Sequence, residues 1–173
     1  MAGHNKWTQI KRQKEVTDAK KSKTFGKLAR AIGVAAKISG GKETPELRAA
    51  IEKARRANAP KDIIERALKR ANETKEMESV LYETYGPGGA GIIITALSDN
   101  KNRTTQEMKH LLSENGFSLG APGSVVWAFR KKNNEWVPTS TILLSGEDLK
   151  LLEKLVDELE EHDAVQEVHT NVE

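Results

Sequence analysis

The sequence predicts an α+β fold: a three-helix unit over residues 1–75, then a ferredoxin-like βαββαβ domain with one extra N-terminal strand over residues 76–173. Three observations lead there. Apolar residues recur every three to four positions from Phe25 to Ala71, then gather into short β-branched runs after about residue 78. Turn-forming pairs and clusters, such as Gly40-Gly41, Gly86 to Gly91 and Asn133-Asn134, fall between the periodic segments. Charge divides at the same place: residues 1–80 hold twenty Lys/Arg against ten Asp/Glu, and residues 81–173 hold eight against fifteen.

The helical part reads as follows. Residues 1–15 are polar, with Trp7 and Ile10 as their apolar anchors, and are expected to stay mobile until a partner orders them. A long helix runs from about Val16 to Ser39 and stops at Gly40-Gly41. Phe25, Leu28, Ala29, Ile32 and Ala36 fall on one side of it, and Lys20, Lys23, Lys27, Arg30 and Lys37 on roughly the opposite side. A second helix opens with Thr44 as cap and Pro45 at its first position, burying Leu47, Ala50, Ile51 and Ala54. Pro60 opens a third, with Ile63, Ile64, Ala67, Leu68 and Ala71 facing inward. Each helix alone is marginal in water, so the three are expected to pack together.

In the second part, Ser79 to Tyr85 and Gly91 to Leu97 read as strands joined by the glycine-rich turn, the second strand apolar enough to be buried. Asn102 caps a helix that carries Met108, Leu111 and Leu112 and ends at Asn115-Gly116. Ser124 to Arg130 and Trp136 to Leu144 read as strands around the Asn133-Asn134 turn. A helix over Glu147 to Glu161 buries Leu149, Leu152, Val156 and Leu159, and Ala164 to His169 is the last strand.

Several chemistries are excluded by composition. The chain has no cysteine, so it forms no disulfide, thiolate metal site or cysteine nucleophile, as suits a reducing, cytoplasmic setting. Ala90 to Leu97 is the longest apolar stretch, far short of the roughly 20 residues a membrane helix needs. His4, His110, His162 and His169 show no metal-ligand spacing, and no catalytic constellation, cofactor motif or metal site is expected. Gly86, Gly88 and Gly91 fit G-x-G-x-x-G, but a β-branched strand follows where the dinucleotide mechanism needs a helix. The loop is better read as a strand connection, with an anion nest of backbone N–H groups as the weaker alternative.

The cationic stripe is the strongest functional signal. Residues 1–40 carry ten Lys/Arg against Glu15 and Asp18, so opposite-charge pairs along the helix do not account for it. A row of like charges on a rigid rod suits a row of phosphates better than a merely solvated face. The nucleic-acid-binding candidates are Lys6, Trp7, Lys11, Arg12, Lys14, Lys20, Lys21, Lys23, Lys27, Arg30 and Lys37. Trp7 either stacks on a base or pins the arm to the helical unit. The acidic last helix reads as a solvated face that avoids nucleic acid.

Ala2-Gly3-His4-Asn5-Lys6-Trp7 and Asp18-Ala19-Lys20-Lys21-Ser22-Lys23 closely resemble the opening of the YebC family of probable transcriptional regulators, which includes the mitochondrial translational activator of cytochrome oxidase. Asn58-Ala59-Pro60-Lys61-Asp62, Tyr85-Gly86-Pro87-Gly88-Gly89, Asp99-Asn100-Lys101-Asn102-Arg103-Thr104 and Val165-Gln166-Glu167-Val168 extend the resemblance in register along nearly the whole chain. It implies a helical domain plus α/β material, no enzymatic activity, and nucleic-acid or ribosome association. Family members usually carry a further α/β lobe where this chain has only the bridge from Arg130 to Glu135. The resulting expectation is a cytoplasmic, non-enzymatic regulator whose partner is duplex DNA or, as a translation factor, structured or ribosomal RNA. A small-molecule sensor on the α/β half is the distant alternative.

Overall fold

The computed structural model describes Trp7 and residues 17–173. They divide into two compact units, one ending at Glu78 and one made of Ser79–Glu173 together with Trp7.

In the helical unit, α1 spans Asp18–Ser39, α2 Pro45–Arg56 and α3 Lys61–Lys69. The Thr17 side chain accepts from the Lys20 N–H at 3.3 Å and so caps α1. At the other end Gly40 adopts φ 62°, and the Gly41 N–H reaches back to the Ala36 carbonyl at 3.1 Å. That left-handed residue closes the helix by satisfying carbonyls that have no partner within it. Thr44 caps α2 through the Leu47 N–H at 3.2 Å, with Pro45 at the first helical position. Ile32, Ala36, Leu47, Ala54, Ile64 and Ala71 form the buried core, with Leu28, Ala35, Ala50 and Ile51 packed around it. Leu68, expected inside, lies on the exposed side of α3.

The second unit is built on β2 (Gly91–Ser98), flanked by β1 (Glu78–Tyr85) and β5 (Val165–Thr170) in the order β1-β2-β5. β2 and β5 run antiparallel with Ile92 opposite Thr170 and Ile94 opposite Val168. Helices α4 (Lys101–Glu114) and α5 (Gly146–Glu161) supply Met108, Leu112, Leu149, Leu152, Val156 and Leu159 to the core shared with Ile92 and Ile94. Ile93 points the other way, into a second cluster with Val125, Ala128 and Phe129. Both faces of β2 are therefore covered, which accounts for its unbroken apolar run.

This sheet differs from the ferredoxin-like arrangement expected. In that arrangement the two middle strands join the main sheet. Here β3 (Phe129–Lys132) and β4 (Glu135–Pro138) form a separate antiparallel hairpin, because β1 already occupies the second edge of β2. Phe129 and Trp136 of the hairpin instead belong to the cluster around Ile93, so it covers the sheet. Its turn is Asn133-Asn134, with φ 51° and 62°, the pair of left-handed residues that a two-residue hairpin of this twist requires. Residues 126–128, expected within a strand, form a 3₁₀ turn. Asn100, two residues earlier than the Asn102 expected, caps α4 by accepting from the Arg103 N–H at 3.1 Å.

Candidate nucleic-acid interface

The cationic face of α1 follows from helical geometry. At about 100° per residue, Lys20, Lys23, Lys27, Arg30 and Lys37 lie within an arc of about 100°, roughly opposite Leu28, Ile32 and Ala36. At about 1.5 Å per residue the row from Lys20 to Lys37 is about 25 Å long. Lys20 and Lys21 are exposed, and Lys23, Lys27, Arg30 and Lys37 are half-buried. Lys21 falls off the row, towards the side that further along carries the core residues. Lys37 is engaged inside the unit, its ammonium donating to the Thr74 carbonyl beyond α3. Two of its three donors are left for other partners.

Several cations of α2 and α3 stand beside carboxylates. Arg48 lies 3.1 Å from Glu43, Arg66 3.6 Å from Asp62, and Lys61 3.8 Å from Glu65. Such exposed pairs contribute little stability, but each places a carboxylate where a phosphate would otherwise sit. Asp18 is the single acid in the sequence of α1, and it lies in the first turn, where the helix dipole favours it.

The remaining candidates fall elsewhere. Lys6, Lys11, Arg12 and Lys14 lie outside the described residues. Trp7 is only 8% exposed and packs in the α/β core with Tyr82, Ala90 and Leu152. The ring is buried in that core rather than exposed for stacking on a base.

The glycine turn before β2 is committed to holding the strands. The Gly86 N–H donates to the Ala90 carbonyl at 2.7 Å, the Gly89 N–H to Gly86 at 3.1 Å, and the Ala90 N–H to Pro87 at 3.1 Å. The Gly91 N–H donates to Asn171 Oδ1 at 2.8 Å. Four donors that an anion nest would use are thus occupied. Among the described residues no group of His, Asp and Glu is placed to hold a metal ion. His110, His162 and His169 each sit beside one carboxylate, Glu114, Glu107 and Glu167 respectively. No helix among the described residues is long and apolar enough to cross a membrane.

One arrangement escaped the sequence reading. Glu83, 4% exposed on β1, accepts the N–H groups of Gly123 at 2.7 Å, Val125 at 3.0 Å and Val126 at 2.6 Å. This fixes the loop before the 3₁₀ turn. Tyr85 donates its hydroxyl to the Ser124 carbonyl in that loop at 2.6 Å. Trp127, 62% exposed, shares its indole N–H between the same carbonyl at 2.9 Å and the Tyr85 hydroxyl at 3.2 Å. An acid on the same alternate positions of β1 as Leu81 and Tyr85 was the available signal.

Residues 5–74 match the family model described as the TACO1/YebC protein N-terminal domain. Residues 77–134 and 131–172 match the TACO1/YebC second and third domain. A protein from Fervidobacterium nodosum, named "Probable transcriptional regulatory protein", is 47% identical over 171 residues, 95% of this chain and 68% of its own length. One of the same name from Thermotoga maritima is 48% identical over 90% of this chain and 61% of its own. Against eight such relatives the chain spans 58–68% of their length. In structure it is similar to a conserved hypothetical protein from Aquifex aeolicus, with a TM-score of 0.77 and 31% identity over 98% of this chain and 97% of that one.

Proposed function

The chain belongs to the TACO1/YebC family, and on that premise we propose that it is a non-enzymatic, cytoplasmic regulator of transcription that binds duplex DNA through α1. The observation that carries this reading is the row of five cations along one face of α1. Phosphates along a backbone offer the complementary row of negative charge. Such contacts set affinity and position without reading bases, so sequence preference comes from the shape of the duplex. The names of the relatives support a regulatory role in transcription. The α/β unit carries eight Lys/Arg against fifteen Asp/Glu over residues 79–173, so the main attraction to duplex phosphates comes from the helical unit.

The two matches to the second-and-third-domain model meet at residues 131–134, on the β3–β4 turn. A break there supports the reading that this chain lacks an internal lobe its longer relatives possess.

Crosslinking in cells, followed by sequencing of the bound DNA and RNA, tests the proposal. The expected result is enrichment of DNA by the parent and its loss when Lys20, Lys23, Lys27 and Arg30 are changed to glutamine. Undiminished recovery by that variant overturns the proposal. Recovery of ribosomal RNA in place of DNA rejects the transcriptional reading and moves the same contacts to the ribosome.

A further inference from the structure

We propose that the α/β unit carries a second nucleic-acid contact, separate from α1, in which Trp127 stacks on a base of a single strand while Arg130, Lys131 and Lys132 hold the adjoining phosphates.

A large aromatic ring left 62% exposed is uncommon, and this one is also held still. Its N–H is tied to the Ser124 carbonyl and the Tyr85 hydroxyl, so the edge of the indole is anchored. Tyr85, itself 43% exposed, is tied to the same carbonyl. The loop bearing that carbonyl is held in turn by Glu83 through three backbone N–H groups. The orienting bonds all fall on the polar edge, and the ring faces are where a base would stack. Because the ring is fixed in advance, binding loses little rotamer freedom.

Charge selects the occupant. Residues 79–173 contain eight Lys/Arg in all, and three of them are consecutive, Arg130-Lys131-Lys132, beginning three positions after Trp127. Three positions span at most about 10 Å and five about 17 Å, so all three cations lie within a few nucleotides' reach of the indole. All three are exposed, and Lys131 Nζ stands 5.3 Å from the Trp136 ring centre. Glu135, opposite Lys132 in the hairpin, is the one acid between Trp127 and Trp136. A positive patch beside a fixed aromatic ring, on a unit that is otherwise net negative, fits the pairing of backbone charge and base stacking by which single strands are bound. A duplex keeps its bases stacked inside and offers the ring nothing.

The test measures binding of the full chain to a fluorescent oligouridylate and to a duplex of equal length. Trp127→Ala is expected to weaken the single strand about 5- to 150-fold, the range for one lost base–aromatic stack, and to leave the duplex within about twofold. Trp127→Phe, which keeps a stacking face, restores most of the single-strand affinity. Substituting glutamine at Lys20, Lys23, Lys27 and Arg30 weakens the duplex instead, so failure of this site and failure of the α1 reading are distinguishable. Where Trp127→Ala unfolds, Arg130→Gln with Lys132→Gln replaces it, with an expected loss of about 1.4 from the salt slope for a single strand. Parent-like binding by these variants, equal weakening of duplex and single strand, or a dimer that depends on Trp127 in sedimentation overturns the proposal.

Discussion

Replacing Glu83 by glutamine should loosen the α/β unit out of proportion to the size of the change. The carboxylate accepts three backbone N–H groups, two at Oε1 and one at Oε2. Hydrogen bonds to a charged group contribute about 1.5–3 kcal/mol each, against about 0.5–1.5 kcal/mol for neutral ones. Glutamine keeps one acceptor oxygen, which can serve Val125 and Val126, each bond weaker by about 1 kcal/mol. Its amide nitrogen then faces the Gly123 N–H, donor against donor, leaving a polar group unpaired at a cost of about 1–3 kcal/mol. The sum is about 3–5 kcal/mol, reduced where the loop relaxes to about 2–4 kcal/mol. Guanidinium unfolding followed by tryptophan fluorescence measures it, as a lower midpoint at constant slope. A loss below about 0.5 kcal/mol would refute the view that this carboxylate holds the loop.

Two further substitutions probe backbone positions. Gly26 lies inside α1 with nothing within 4 Å of a Cβ built on it, so Gly26→Ala should stabilise the helical unit by about 0.5–1 kcal/mol, read as a higher thermal midpoint. An unchanged or lower midpoint contradicts that. Gly88 has φ 64°, and a Cβ there would stand 2.6 Å from a Leu144 methyl and 2.9 Å from Asp148 Oδ2. Gly88→Ala should therefore cost about 1–3 kcal/mol in denaturant unfolding, and a neutral result would show that the turn repacks freely.

The helices were legible because their signals are local. Thr44 and Gly40-Gly41 mark ends through bonds to neighbouring turns, and the apolar period of α1 puts Ile32 and Ala36 inside, whereas Gly33 and Val34, on the side of the cations, are buried by contacts that the period does not announce. Strand partnership is not local, and the sheet shows the consequence. Nothing in the residues of β3 and β4 says that β1 takes the edge of β2 first. Val125, Trp127 and Phe129 alternate as a strand should, yet the 3₁₀ turn at 126–128 rotates Trp127 outward while Val125 and Phe129 stay buried. That turn is held by Glu83, more than forty positions away, so no local signal marks Trp127 and the Arg130-Lys131-Lys132 run as a pair. Trp7 illustrates the same limit, since a lone aromatic in a polar arm carries no mark of the core it joins.

If the row on α1 grips phosphates, duplex binding must weaken steeply as salt is added. With about five phosphates neutralised, the logarithm of the association constant should fall against the logarithm of salt concentration with a slope near −4.5. Glutamine at Lys20, Lys23, Lys27 and Arg30 should make that slope shallower by about 3.6. An affinity that does not change with salt, or a slope the four glutamines leave untouched, would contradict the account.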